Sequence, residues 1–301
     1  MTRVWAAAFC AAVATAGIAA QQPSFRLETR LVVLHATVRN SRGIEVTDLD
    51  QNAFALYENG RRQSITMFRK DDIPVSIGLL LDNSRSMRSL RSRVETAALD
   101  FVRASNPLDE MFVLNFADRS RIDVEMTRDV SALEHGIAHV DAIGGTALRD
   151  AVTRAEAYLQ DHALHDRHVL LLVTDGRDNA STVTVRQIEQ LSRQSETAVY
   201  AVGLFGSADS SEAKAGLHEL KTLTERTGGA AYYPADVDQI EGIVADIARQ
   251  IRNQYTIAYT PTNQALDGTY RTIRLEAHGR EALTVRTRPG YDAAPKNATA
   301  R

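Results

Sequence analysis

From residue 75 onward two textures alternate along the chain. Unbroken apolar runs at 75–81, 111–116, 169–174 and 198–203 have the look of strands buried on both faces. Between them, apolar residues fall at helical spacing, as in Leu90, Val94, Ala97, Ala98, Phe101 and Val102. That spacing predicts helices over 89–104, 130–140, 147–160, 185–194, 212–227 and 237–251. A segment at 120–126 reads as an antiparallel edge strand and 230–233 as a short strand, with Gly228-Gly229 stopping the helix before it. Strands alternating with helices predict an α/β fold, a doubly wound and mostly parallel sheet covered on both faces.

The flanks are different. Residues 31–38 are β-branched and apolar, and a turn signal follows at Asn40-Ser41-Arg42-Gly43. Runs at 54–57 and 63–68 surround Asn59-Gly60 and predict one hairpin. After Arg252, strands are expected at 255–259, 270–276 and 283–287. About three strands is near the minimum for independent stability. The two β segments are therefore expected to pair into one β-sandwich, with the α/β unit inserted between them. The expected division is 1–20, 24–72, 73–251, 252–291 and a disordered tail over 292–301.

Residues 1–20 supply a separate signal. A positive start at Arg3 precedes an apolar, alanine-rich stretch over 4–20 that ends in Gly17, Ala19 and Ala20. This pattern predicts a secretory signal peptide cleaved near Ala20, an uncleaved anchor being the alternative, and a secreted or periplasmic location. No membrane insertion is expected after cleavage, since no later stretch is long and apolar enough to span. Cys10 is the only cysteine, which excludes an internal disulfide framework and a cysteine metal site. A net charge of −3 gives no bulk positive field for nucleic acid.

Candidate chemistry lies at strand ends. The first α/β strand runs into Asp82-Asn83-Ser84-Arg85-Ser86, a carboxylate followed by hydroxyls at every second position. Gly144-Gly145-Thr146 places a further hydroxyl after a tight turn, and Thr174-Asp175-Gly176 ends another strand in a carboxylate. Open α/β sheets bind ligands at such ends, where strand order reverses. All these donors are hard oxygens, which suit Mg²⁺, Mn²⁺ or Ca²⁺ over softer metals. A blander explanation is that Ser86 caps the helix after it and Asp175 merely turns with Gly176.

The set Asp82, Ser84, Ser86, Thr146 and Asp175 resembles the metal-ion-dependent adhesion site of the von Willebrand factor type A (VWA) family. The resemblance covers 73–251. The flanking β segments look like those of secreted bacterial proteins that carry such a domain in the middle. The resemblance implies that Ser84 and Ser86 bind the metal directly, and Thr146 does so in the ligand-bound state. Asp82 and Asp175 would act largely through water. A protein partner's Asp or Glu carboxylate would take the remaining position on Mg²⁺. Arg85, at a variable position of the motif, would favour an acidic partner surface, a simply solvated side chain being the alternative.

Other readings are weaker. A structural envelope protein would carry the same metal site unused. A metal-dependent phosphohydrolase with an aspartate nucleophile wants a second Asp where Ser84 stands, and neither a phosphate-binding loop nor a nucleophile elbow occurs. No enzymatic activity and no catalytic residue is therefore expected. His135 with His139, and His162 with His165 and His168, lack matching carboxylate or cysteine patterns and read as solvated surface. Asn179-Ala180-Ser181 and Asn297-Ala298-Thr299 match a glycosylation sequon by chance.

Overall fold

The computed structural model describes residues 31–138, 143–205 and 211–294. Four strands come first: β1 (Val32–Asn40), β2 (Phe54–Glu58), β3 (Arg61–Gln63) and β4 (Ile65–Arg69). The middle runs β5 (Ser76–Asp82), α1 (Arg91–Ala104), β6 (Glu110–Phe116), β7 (Ser120–Thr127), α2 (Val130–Ile137) and α3 (Leu148–His162). It continues with β8 (His168–Thr174), α4 (Val185–Gln194), β9 (Ala198–Gly203), α5 (Ser211–Thr227), β10 (Ala231–Tyr232) and α6 (Ile240–Arg252). Strands β11 (Tyr255–Tyr259), β12 (Tyr270–Ala277), β13 (Leu283–Arg286) and β14 (Gly290–Asp292) follow.

The middle strands form one six-stranded sheet in the order β10-β9-β8-β5-β6-β7, parallel except for β7, the antiparallel edge that the pattern predicts. Every residue of β5 is buried, because helices cover both faces. Leu79 and Leu81 join one core with Phe101 of α1 and Ile247 of α6. Leu80 points the other way, into a core with Phe112, Leu114 and the α3 residues Val152 and Leu159. Gly78 has no side chain for a packing reason. A Cβ there would lie 2.5 Å from the Phe112 ring and 2.6 Å from Leu170.

The two flanking β segments interleave rather than stack as separate units. One four-stranded sheet is ordered β13-β1-β11-β4 and the other β14-β12-β2-β3, so each sheet draws strands from both ends of the chain. Leu34 and Ile257, Cα partners in one sheet, share a core with Leu56 and Leu275, partners in the other. This is the sandwich the pattern predicts, with the α/β unit inserted between its strands.

Two details differ from the sequence reading. The expected hairpin is split: β2 and β3 turn about Asn59 (φ 47°) and Gly60 (φ 77°), then the chain crosses at Ser64 so that β4 joins the opposite sheet. Strand β14 was not foreseen. It pairs with β12 and carries Asp292, the residue at which a disordered tail was expected to begin. Residues 1–30, which include the expected signal peptide, and residues 295–301 lie outside the described residues. Among the described residues no helix is long and apolar enough to cross a membrane.

Only Asn253 and Gln254 separate α6 from β11, and Gln254 ties the units together. Its buried amide donates to Tyr200 OH (2.9 Å) on β9 and to Thr37 Oγ1 (3.1 Å) on β1. The buried Arg167 guanidinium donates to Gln254 Oε1 and to the carbonyl of Ile251 at the end of α6. Burial holds the Arg167 pKa below its ordinary value, opposed by the charges of Tyr200, Asp109 and Asp72.

Candidate metal centre

Strand order reverses at β5: β6 lies on one side of it and β8 on the other. Loops leaving the carboxyl ends of these strands therefore diverge and leave a crevice above β5. Asp82 ends β5 with its carboxylate buried, accepting from the Ser84 N–H at 2.8 Å and from the Thr174 hydroxyl at 2.5 Å. The first bond turns the following loop back on Asp82, and the second ties the ends of β5 and β8 together. Ser84 Oγ then lies 3.1 Å from Ser86 Oγ, and the Ser86 hydroxyl donates to Asp175 Oδ1 at 2.8 Å. Thr146 Oγ1 packs 3.3 Å from where a Cβ on Gly176 would stand, so Gly176 keeps the Asp175 loop close to the Thr146 loop.

Segments far apart in the chain thus place Asp82, Ser84, Ser86 and Asp175 in one hydrogen-bonded chain, with Thr146 against its last loop. The capping role expected as an alternative for Ser86 is not seen. Helix α1 starts from Leu90 with no side-chain cap, and Ser84 precedes a short 3-10 turn without capping it.

Burial pushes the Asp82 carboxyl up to about 6, against the pull of its bonds to Thr174 and Ser84, and the negative charge of Asp175 pushes it further. The Asp175 pKa is raised by burial too, opposed by its bond from Ser86. Two carboxylates face one crevice without a fixed cation among these causes, so a divalent ion placed there would favour ionisation of both. Among the described residues no group of three or more His, Cys, Asp or Glu assembles. An ion held here would therefore rest on hydroxyls and on the two aspartates. That donor set fits a hard, oxygen-seeking divalent cation.

Several supporting residues escaped the sequence reading. Asn83 is buried, not solvated, and its amide donates to Asn115 Oδ1 at 2.6 Å, while its N–H and C=O bond Phe116 and Ile143. Asn179 clamps Thr146 from both sides: Oδ1 accepts the Thr146 N–H at 2.8 Å, and the Asn179 N–H donates to Thr146 O at 3.0 Å. Asp118 accepts the Gly145 N–H at 2.6 Å beneath the turn at Gly144 (φ 87°). Asp178 is buried and paired with Arg149 at 3.2 Å. The polar run 177–181 after the β8 strand end was the available signal.

The histidines divide among unrelated tasks. His162 stacks on Tyr158 (4.1 Å between centroids), while His165 Nε2 contacts Leu108 O at 3.1 Å. His168 is half-buried, which lowers its pKa. His139 and residues 206–210 lie outside the described residues.

Residues 77–177 match the family model of the von Willebrand factor type A domain. The matched stretch begins in β5 and ends just beyond Asp175, so it contains all five candidate metal residues. The fold is similar to a von Willebrand factor type A structure from Catenulispora acidiphila, with TM-score 0.51 at 14% identity over 79% of this chain and 73% of that one. It is also similar to proximal thread matrix protein 1 from the mussel byssus, in a structure described as having a zinc-occupied metal-ion-dependent adhesion site. There the TM-score is 0.51 and the identity 18%, over 65% of this chain and 50% of the mussel protein's. At such identities the likeness is one of fold. No curated protein matches the sequence. The VWA-like domain is thus the part of the molecule that carries the site, and VWA domains are in general interaction modules that bind a divalent metal.

Proposed function

We propose that the protein is a secreted or periplasmic binding module that holds a divalent cation at Asp82, Ser84, Ser86, Thr146 and Asp175 and grips an acidic residue of a protein partner through it. The observation that carries this reading is the run of contacts from Ser84 Oγ to Ser86 Oγ (3.1 Å) to Asp175 Oδ1 (2.8 Å) at the carboxyl ends of β5 and β8. With hydroxyls as the direct ligands, little negative charge from the protein touches the ion. The ion stays electron-poor, and a carboxylate from outside is its strongest available partner. Mg²⁺ is the expected ion because it keeps waters readily, and Mn²⁺ or Ca²⁺ is also accommodated.

Binding rather than turnover is the reading, since Asp82 is buried, tied by two hydrogen bonds and followed at the second position by a serine. The N-terminal leader pattern supports a place outside the cytoplasm. The test is capture from the native envelope or medium on immobilised protein in Mg²⁺, eluted with EDTA. The Ser84→Ala/Ser86→Ala variant serves as control. A partner retained by wild type in Mg²⁺ and lost from the variant is expected. A partner held equally in EDTA contradicts the reading.

A further inference from the structure

The chain is acidic overall, yet three arginines stand on the loops around the crevice. Arg85, between the two metal serines, and Arg177, two residues beyond Asp175, are both exposed, as is Arg119 in the turn after β6. Among the described residues none of these three side chains makes an ion pair or hydrogen bond. Arg177 feels the charge of Glu219, but Glu219 is already paired with Arg149 at 3.1 Å. Asp118 accepts from the Gly145 N–H and pairs with none of the three arginines, and buried Asp178 pairs with Arg149. Ile143 stands on the same rim with 62% of its surface exposed, three residues before Thr146.

Free guanidinium groups beside a cation site have a cost. They repel a bare divalent ion and reduce its affinity, and they attract anions. An acidic segment entering the crevice relieves both effects at once, because its carboxylates answer the ion and the arginines together. We infer that Arg85 and Arg177, with Ile143, select an acidic protein segment flanked by an apolar residue and make its binding and that of the metal mutually dependent. This rests on the metal-mediated binding proposed above. Linkage then requires reciprocity: the segment tightens the metal by the factor by which the metal tightens the segment.

Arg85→Gln/Arg177→Gln tests this with two readouts of opposite sign. Mn²⁺ is titrated by calorimetry into wild type and variant alone. A short fluorescein-labelled peptide, one Asp flanked by Glu and Leu, is then titrated into each Mn²⁺-saturated protein, with a control whose flanking Glu are Gln. The variant is expected to bind Mn²⁺ alone roughly fivefold more tightly and the acidic peptide roughly fivefold more weakly at physiological salt. Wild type is expected to prefer the acidic peptide to its control. The inference is overturned if both affinities move in the same direction, if wild type ranks the two peptides equally, or if metal-loaded wild type binds no acidic peptide. If wild type takes up no Mn²⁺ at all, the reading of the metal centre falls and this inference falls with it.

Discussion

Glu156 offers a stability prediction that can be worked from the structure. It lies on α3 with 3% exposure, and Oε1 and Oε2 accept from Ser195 Oγ (2.8 Å) and Thr197 Oγ1 (2.9 Å). No cation is among the causes of its shift, so burial pushes its carboxyl from 4.5 up to about 7 despite those two bonds. The difference of 7 − 4.5, at about 1.36 kcal/mol per unit, is worth about 3 kcal/mol. The folded state holds the proton up to about pH 7, whereas the unfolded chain releases it near 4.5. This contribution to stability is therefore full below pH 4.5 and is lost as pH rises through 7. The perturbation is Glu156→Gln, which removes the titration while keeping a polar side chain of the same shape. Urea unfolding in EDTA, from below pH 4.5 to above pH 7, gives the slope for each protein. The raised carboxyls Asp82, Asp109, Asp175 and Glu219 have the same sign in both proteins and cancel in the comparison. The wild-type minus variant difference should fall by about 3 kcal/mol across the window. Parallel pH profiles for the two proteins would refute the reasoning.

Two further substitutions probe the packing beneath the site and its second layer. Gly78→Ala forces a methyl to within 2.5 Å of the Phe112 ring in the middle of β5, and a loss of about 1–3 kcal/mol by thermal or urea unfolding is expected. Asn179→Ala orphans the Thr146 N–H and should weaken Mn²⁺ binding about tenfold, with recovery in Asn179→Asp, which keeps the acceptor.

What the sequence makes legible follows from how local the physics is. The run 75–81 is short, apolar and bounded by polar segments, which marks a strand buried on both faces, and the oxygen spacing of Asp82, Ser84 and Ser86 is written within one loop. Thr146 and Asp175 announced themselves by lying after a Gly-Gly turn and at a strand end. The crossing at Ser64 was not legible, because either partner sheet satisfies the apolar pattern of residues 63–68. Strand β14 is three residues long and is fixed by pairing with β12, not by its own composition. Asp118 and Thr174 take their roles from hydrogen bonds to groups 27 and 92 positions away, which no local pattern encodes.

Asp82 is a poor residue on which to settle the central question. Its removal would strand the Thr174 hydroxyl and the Ser84 N–H and disturb the fold as well as the site. The hydroxyl pair is cleaner. Mn²⁺ uptake followed by electron paramagnetic resonance, in wild type and in Ser84→Ala/Ser86→Ala, measures the site with no partner needed. Saturable uptake of one ion per chain by wild type, abolished in the variant, is the predicted result. Equal uptake by both proteins would mean that the ion sits elsewhere, and that these five side chains do not form its site.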